Sequence, residues 1–208
     1  MNKYITRLMA VTACTLCNIG MMAMSVSATA QNDSTELALR SDSAIVRQLR
    51  AVGVNFSNDN AVTLLMSGQE KFDDMFHAIR QAKSSIHLEY FNFRNDSIAS
   101  LLFDILAEKA QQGVEVRALF DGFGNDSNNQ PLLKRHLTNL RARGIQIYEF
   151  DPLRFPWINH VFHRDHRKIV VIDGKMAYTG GMNVADYYIK GTKEVGSWRD
   201  MHLSLIHI

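Results

Sequence analysis

Thiols are almost absent from this chain. Its only two cysteines, Cys14 and Cys17, fall in an N-terminal apolar run, so a domain that begins beyond that run forms no disulfide and must be held by packing. Net charge is equally scarce. The formal charge is +2, and Lys3 and Arg7 account for it, leaving acids and bases in balance beyond residue 30. That balance excludes a general nucleic-acid binder, which needs a broad basic face. No internal repeat is visible, and only one His-x-Lys pair occurs.

What is present begins with a leader. Lys3 and Arg7 precede a Met- and Ala-rich apolar stretch from Leu8 to Val26 that ends in Ala28-Thr29-Ala30. This is the pattern of a secretory signal peptide, and the run also has the length of an uncleaved membrane anchor. Both readings export the domain; taken with the resemblance given below, they place it in the envelope of a bacterial cell, periplasmic or membrane-associated. Residues 31–60 read as a polar tether with one short helix, and residues 61–208 as the folded domain.

Within that domain, Ser67-Gly68-Gln69-Glu70 has the form of a capping box, and Phe72, Met75, Phe76 and Ile79 recur at helical spacing, predicting a helix over 68–83. Strands are expected at 86–91, 114–120 and 145–150. Between them, Ile98 to Leu106 marks a helix stopped by Gly113, residues 121–129 read as a polar loop, and Pro131 opens a helix to Arg143. Asp173-Gly174 separates two apolar runs and predicts a hairpin, 169–172 with 176–179. Helices alternating with strands argue for a layered α/β domain, a mixed sheet flanked by helices.

Charge in this domain is concentrated. Arg154, Arg164, Arg167, Lys168 and Lys175, with His160, His163 and His166, face only Asp165 and Asp173 between residues 154 and 175. A local anion site is implied. Residues two apart on a strand share a face, so His166 is expected beside Lys168. A neutral imidazole attacks phosphorus, an ammonium offsets charge on the nonbridging oxygens, and Asn183 with the close-approach turn Gly180-Gly181 supplies further donors. Asp173 is expected to order this segment.

The run His166-Arg167-Lys168-Ile169-Val170-Val171-Ile172-Asp173-Gly174, followed by Tyr178-Thr179-Gly180-Gly181-Met182-Asn183, resembles the HKD motif of the phospholipase D superfamily. With Ile86-His87-Leu88-Glu89-Tyr90, Gly113-Val114-Glu115-Val116-Arg117, Pro152-Leu153-Arg154-Phe155-Pro156 and Trp198-Arg199-Asp200, it is most similar to the N-terminal catalytic half of bacterial cardiolipin synthases. The doubled glycine follows their form, where many superfamily members have Gly-Ser. The resemblance runs over about residues 60–203. It implies catalytic roles for His166, Lys168, Asp173, Asn183 and Asp200, with Lys168, Asn183, Gly180 and Gly181 binding phosphate. It also implies that Asp200 orients His166, and that no metal or other cofactor is used.

The activity so implied is phosphatidyl transfer between anionic glycerophospholipids at a membrane surface through a phosphohistidine, phosphatidylglycerol giving cardiolipin and glycerol. An exported phospholipase D or HKD endonuclease acting as a homodimer is an alternative, and an inactive single-half binding remnant is another. The family's site uses two motifs where this chain has one. The second half is expected from a missing C-terminal region, the chain being read as truncated there, or from a homodimer. His160, His163 and His166 recur every three residues without the context of a metal site. Glu89 reads as a rim carboxylate, and Phe155, Trp157 and Phe162 as a lipid-facing lip or as buried aromatics.

Overall fold

The computed structural model describes residues 43–56, 59–152, 156, 162–194 and 196–207. The leader, residues 31–42, 57 and 58 of the tether, Arg154, Phe155, Trp157 and His160 lie outside them. Residues up to 57 form one unit and those from 58 onward another. In the first unit, α1 spans 43–51. Among the described residues no helix is long and apolar enough to cross a membrane.

The second unit is built on one seven-stranded sheet. Its elements in chain order are β1 (Asn60–Leu65), α2 (Gly68–Gln81), β2 (Ser85–Tyr90), α3 (Ser97–Gln111), β3 (Glu115–Asp121), α4 (Gly122–Asp126), α5 (Lys134–Ala142), β4 (Gln146–Phe150), β5 (Lys168–Ile172), β6 (Met176–Gly180), α6 (Tyr187–Lys190) and β7 (His202–His207). The strand order is β1-β7-β6-β5-β2-β3-β4. β2, β3 and β4 run parallel, while β5 pairs antiparallel with β2 and continues through antiparallel pairings to β6, β7 and β1. The sheet is mixed, as expected, because helical crossovers link β2 to β3 and β3 to β4 whereas a tight turn links β5 to β6.

Period-2 burial sets the faces. Ile86, Leu88 and Tyr90 of β2 are buried, as are Lys168, Val170 and Ile172 of β5, while His87, Glu89, Ile169 and Val171 on the opposite face stay partly open. The buried stripe of α2, Phe72, Met75, Phe76 and Ile79, joins Leu102, Phe103 and Leu106 of α3 in the same core. Ser67 caps α2 by accepting the Glu70 N–H at 3.1 Å, and Glu70 reaches back to the N–H of Met66 at 2.8 Å. That second bond skips the cap residue itself.

Three local expectations differ from the structure. The segment 121–129 contains α4, because the Asp121 carboxylate accepts the Gly124 N–H at 2.8 Å and starts a turn of helix. The third long helix begins at Lys134, three residues after Pro131, where His136 Nδ1 accepts the Leu133 N–H. β1 starts at the last residue of the expected tether and fills the opening of the domain, where no element was expected; its Val62 and Leu64 are largely exposed, and it is held as an edge strand by β7.

Candidate active site

β5 begins at Lys168, so His166 sits in the extended segment just before the strand and not on it. Register pairs Lys168 with Tyr90, which carries its side chain to the buried face. Its Nζ turns back to donate to the carbonyl of His166 at 2.7 Å and lies 5.3 Å from the centre of the Phe91 ring. The His166 imidazole packs on the other side of this relationship, 4.7 Å from the same ring. Phe91 thus seats both groups.

Their electrostatics favour the less charged forms. Partial burial lowers the His166 pKa, the neighbouring Lys168 charge lowers it further, and Asp121 and Asp165 oppose both. Burial likewise lowers Lys168, against the pull of Asp165 and Asp200. The result is a free imidazole base beside an ammonium that is costly to keep buried.

The segment carrying His166 is clamped from beneath. Fully buried Asp121 accepts from Arg164 Nη1 at 3.0 Å and from the Asp165 N–H at 2.8 Å, besides capping α4. Arg167 then bridges Asp165 at 3.0 Å and Glu89 at 2.7 Å. Burial and a hydrogen bond to Asp165 raise the Glu89 pKa; burial would raise Asp165 too, but the bonds from Glu89 and Arg167 outweigh it and lower it. Glu89, half-buried, is thus tied to Arg167 and Asp165.

The Gly-Gly-Met-Asn turn follows β6. Val184 bridges Phe93, and the Arg94 N–H donates to the Val184 carbonyl at 3.1 Å, so the segment after β2 runs alongside the turn. Asn183 is buried; its Oδ1 faces the Asn92 N–H and its Nδ2 the Tyr188 hydroxyl, each at 3.4 Å. A Cβ on Gly180 would meet His202 Nδ1 at 2.5 Å, and one on Gly181 would run into the Asp200 carboxylate. Both positions need glycine because Asp200, Met201 and His202, leading into β7, close against them.

The structure brings His166, Lys168, Asn183, the two glycines and Asp200 to the same end of β5 and β6. The charge of Asp200 is felt by Lys168 and by Lys71, but among the described residues no hydrogen bond joins Asp200 to His166; the carboxylate accepts the Met201 N–H at 2.7 Å. Asp173 is placed elsewhere, at the far end of β5, roughly 16 Å along the strand at about 3.3 Å per residue. There it accepts the backbone N–H groups of Lys83, Ser84 and Ser85 and the Ser84 hydroxyl. Phe162 is almost wholly exposed, at 94 %.

Sequence reasoning missed three contributors. Lys71 is completely buried on α2, His202 is completely buried beneath Gly180, and Asn92 lines the turn with its Oδ1 buried and unpartnered. A signal for Lys71 existed, since it lies four residues before Met75 on the apolar face of α2. For His202, register opposite Gly180 is the only cue, and that needs the sheet.

Residues 75–200 match the family described as cardiolipin synthase, PLD-like domain. The chain is 40% identical over 158 residues to a probable cardiolipin synthase, YwiE, of Bacillus subtilis, covering 76% of this chain and 31% of that protein. It is 41% identical over 151 residues to a cardiolipin synthase of Staphylococcus aureus, covering 72% and 30%. The chain thus spans about a third of the length of these relatives. Among solved structures, phosphatidylserine synthase of Haemophilus influenzae superposes with a TM-score of 0.55 at 19% identity, over 70% of this chain and 33% of that one. NucT from Helicobacter pylori superposes with a TM-score of 0.51 at 15% identity, over 71% and 86%. The fold, the gathering of His166, Lys168 and Asn183 at one end of the sheet and the match over residues 75–200 agree: the chain belongs to the PLD-like domain family of the cardiolipin synthases.

Proposed function

We propose that this domain transfers phosphatidyl groups between anionic glycerophospholipids, with phosphatidylglycerol as donor and acceptor and cardiolipin and glycerol as products. The observation that carries the reading is the pairing of an accessible, proton-poor imidazole, His166, with a buried ammonium, Lys168, seated on the same Phe91 ring. A ring nitrogen of His166 bonds to phosphorus as the bond from phosphorus to the glycerol oxygen breaks, and the departing oxygen takes a proton. The hydroxyl of a second phosphatidylglycerol then attacks, losing its proton, and the bond from phosphorus to nitrogen breaks. Glycerol is the net leaving group.

Lys168 balances charge that builds on the phosphate oxygens, and the Asn183 side chain is available to exchange its long internal hydrogen bonds for shorter ones to substrate. Asp200 acts by keeping Lys168 protonated. Asp173 serves by pinning the β5–β6 turn to the start of β2. The acid that protonates glycerol belongs, in this reading, to a second HKD half, supplied by further chain or by a second copy of this one. The domain works at a membrane surface in the cell envelope, where the leader-like run would deliver it.

The test is to incubate the protein with phosphatidylglycerol labelled at phosphorus, quench in alkali and map the labelled residue. Label on His166, absent together with transfer in His166→Ala, is the expected result. Turnover retained by His166→Ala, or an adduct on another side chain, overturns it. Release of phosphatidate in place of cardiolipin assigns the second step to water.

A further inference from the structure

Lys71 is the least expected residue of the core. A lysine is almost never fully buried without a partner, because desolvating an ammonium costs several kcal/mol. Here Nζ donates to two successive backbone carbonyls, Met182 at 3.1 Å and Asn183 at 3.0 Å. It also sits 4.3 Å from the centre of the Phe72 ring and 5.1 Å from that of Tyr90. The fold alone gives no reason for a charge at this place. The other side chains of the α2 stripe are apolar, and a methionine would fill the volume.

The two carbonyls belong to the turn that carries Asn183. In a trans peptide the C=O and the following N–H point in opposite directions. A Met182 carbonyl drawn towards Lys71 therefore aims the Asn183 N–H away from Lys71, and that N–H has no hydrogen-bond partner among the described residues. Lys71 also feels the charges of Asp200 and Lys168, so it stands within electrostatic reach of the groups assigned to phosphate.

We infer that Lys71 is a positioning residue: by holding the Met182 and Asn183 carbonyls in the core, it presents the Asn183 backbone N–H as an additional donor to a substrate phosphate. This deepens the transferase reading, on which it rests. The donor is fixed before substrate arrives, so no reorganisation is needed when charge gathers on phosphorus. Lys71 touches no reacting atom.

Sodium tungstate, a phosphate mimic, separates this inference from the activity. Titrated into the full chain and followed by backbone amide resonances, tungstate should shift the Asn183 N–H of the wild type. Lys71→Met should weaken tungstate binding about tenfold, the worth of one charge-assisted hydrogen bond. It should also lower kcat for transfer with KM changed less than twofold, and Lys71→Arg should recover part of both losses. Equal tungstate affinity in Lys71→Met overturns the inference, as does saturating tungstate that leaves the Asn183 N–H unmoved. The latter measurement decides even where Lys71→Met does not fold. A wild type that shifts Asn183 with tungstate yet transfers no phosphatidyl group even when joined to a second HKD half sinks the transferase reading and keeps Lys71. A wild type that binds no tungstate overturns both.

Discussion

The carboxylate of Asp200 lies directly against the Cα of Gly181, so that a Cβ there would stand 2.7 Å from Oδ2. Because the Asp200 carboxylate is itself fixed by the Met201 N–H, a methyl group at position 181 must push it off its place. Gly181→Ala should therefore lower transfer about as far as Asp200→Ala does. The double variant should be no worse than either single one, since both remove the same group. Additive losses would show that the glycine is required for something other than room for Asp200.

The direction of two pKa shifts fixes the shape of a pH profile. Attack needs neutral His166, whose pKa is lowered by burial and by Lys168, so the acid limb of kcat/KM should fall below the usual imidazole range. Charge balance needs protonated Lys168, lowered by burial, so the alkaline limb should begin below the usual lysine range. Lys168→Arg should move the alkaline limb upward, because guanidinium does not titrate there. Limbs unmoved by that variant would remove Lys168 from the profile.

How far the site could be read without coordinates depended on whether its cause was local. Lys168 and the turn at Asp173-Gly174 were legible because a strand period and a turn dipeptide are written into neighbouring residues, whereas the same period put His166 on a strand that starts two residues later. The turn has φ of 53° at Asp173 and 66° at Gly174. β1 was not legible: Val62 and Leu64 are exposed, and its partner β7 lies at the other end of the sequence. α4 was hidden for a related reason. Its glycines read as loop, and the cap that starts it, Asp121, is held in place by Arg164 from a distant segment. Lys71 was passed over because a lysine beside a glutamate normally reads as a solvated face.

Asp173 is hydrogen-bonded to the backbone of residues 83–85 at the end of β5 away from His166, and its removal should show in stability. Burial would raise its pKa, but the N–H groups of Ser85, Ser84 and Lys83 and the Ser84 hydroxyl hold it well below the usual carboxylate range. A depressed carboxylate stabilises the folded state above its unfolded pKa, and that contribution is lost as pH falls through the folded value. Asp173→Asn should cost roughly 1 kcal/mol at pH 7, a charge-assisted hydrogen-bond value discounted for solvent screening. The deficit should shrink towards pH 2. Denaturant melts across that range check it, and a deficit independent of pH would show that charge is not what the turn uses.

Asp121 should give the largest loss of all. It is wholly buried, and its two oxygens serve Gly124, Arg164 and Asp165 at once. Asp121→Asn keeps the shape but replaces one acceptor oxygen with a donor, which faces either a guanidinium with 15 % of its side chain exposed or a backbone N–H. Breaking a buried ion pair by removing one partner costs about 3 to 5 kcal/mol, because the other charge stays buried. Arg164 lies two residues before His166, so the loss should also loosen the segment that presents the nucleophile. Asp121→Asn is therefore expected to unfold at lower denaturant with an unchanged m-value and, under conditions where it remains folded, to exchange the amides of 164–167 faster than wild type. The double variant Asp121→Asn with Arg164→Met should recover part of the stability by removing the guanidinium that faces the new amide, at the cost of its contacts to Asp151. If it recovers none, the clamp acts through the Asp165 N–H and the cap of α4, and the ion pair contributes little.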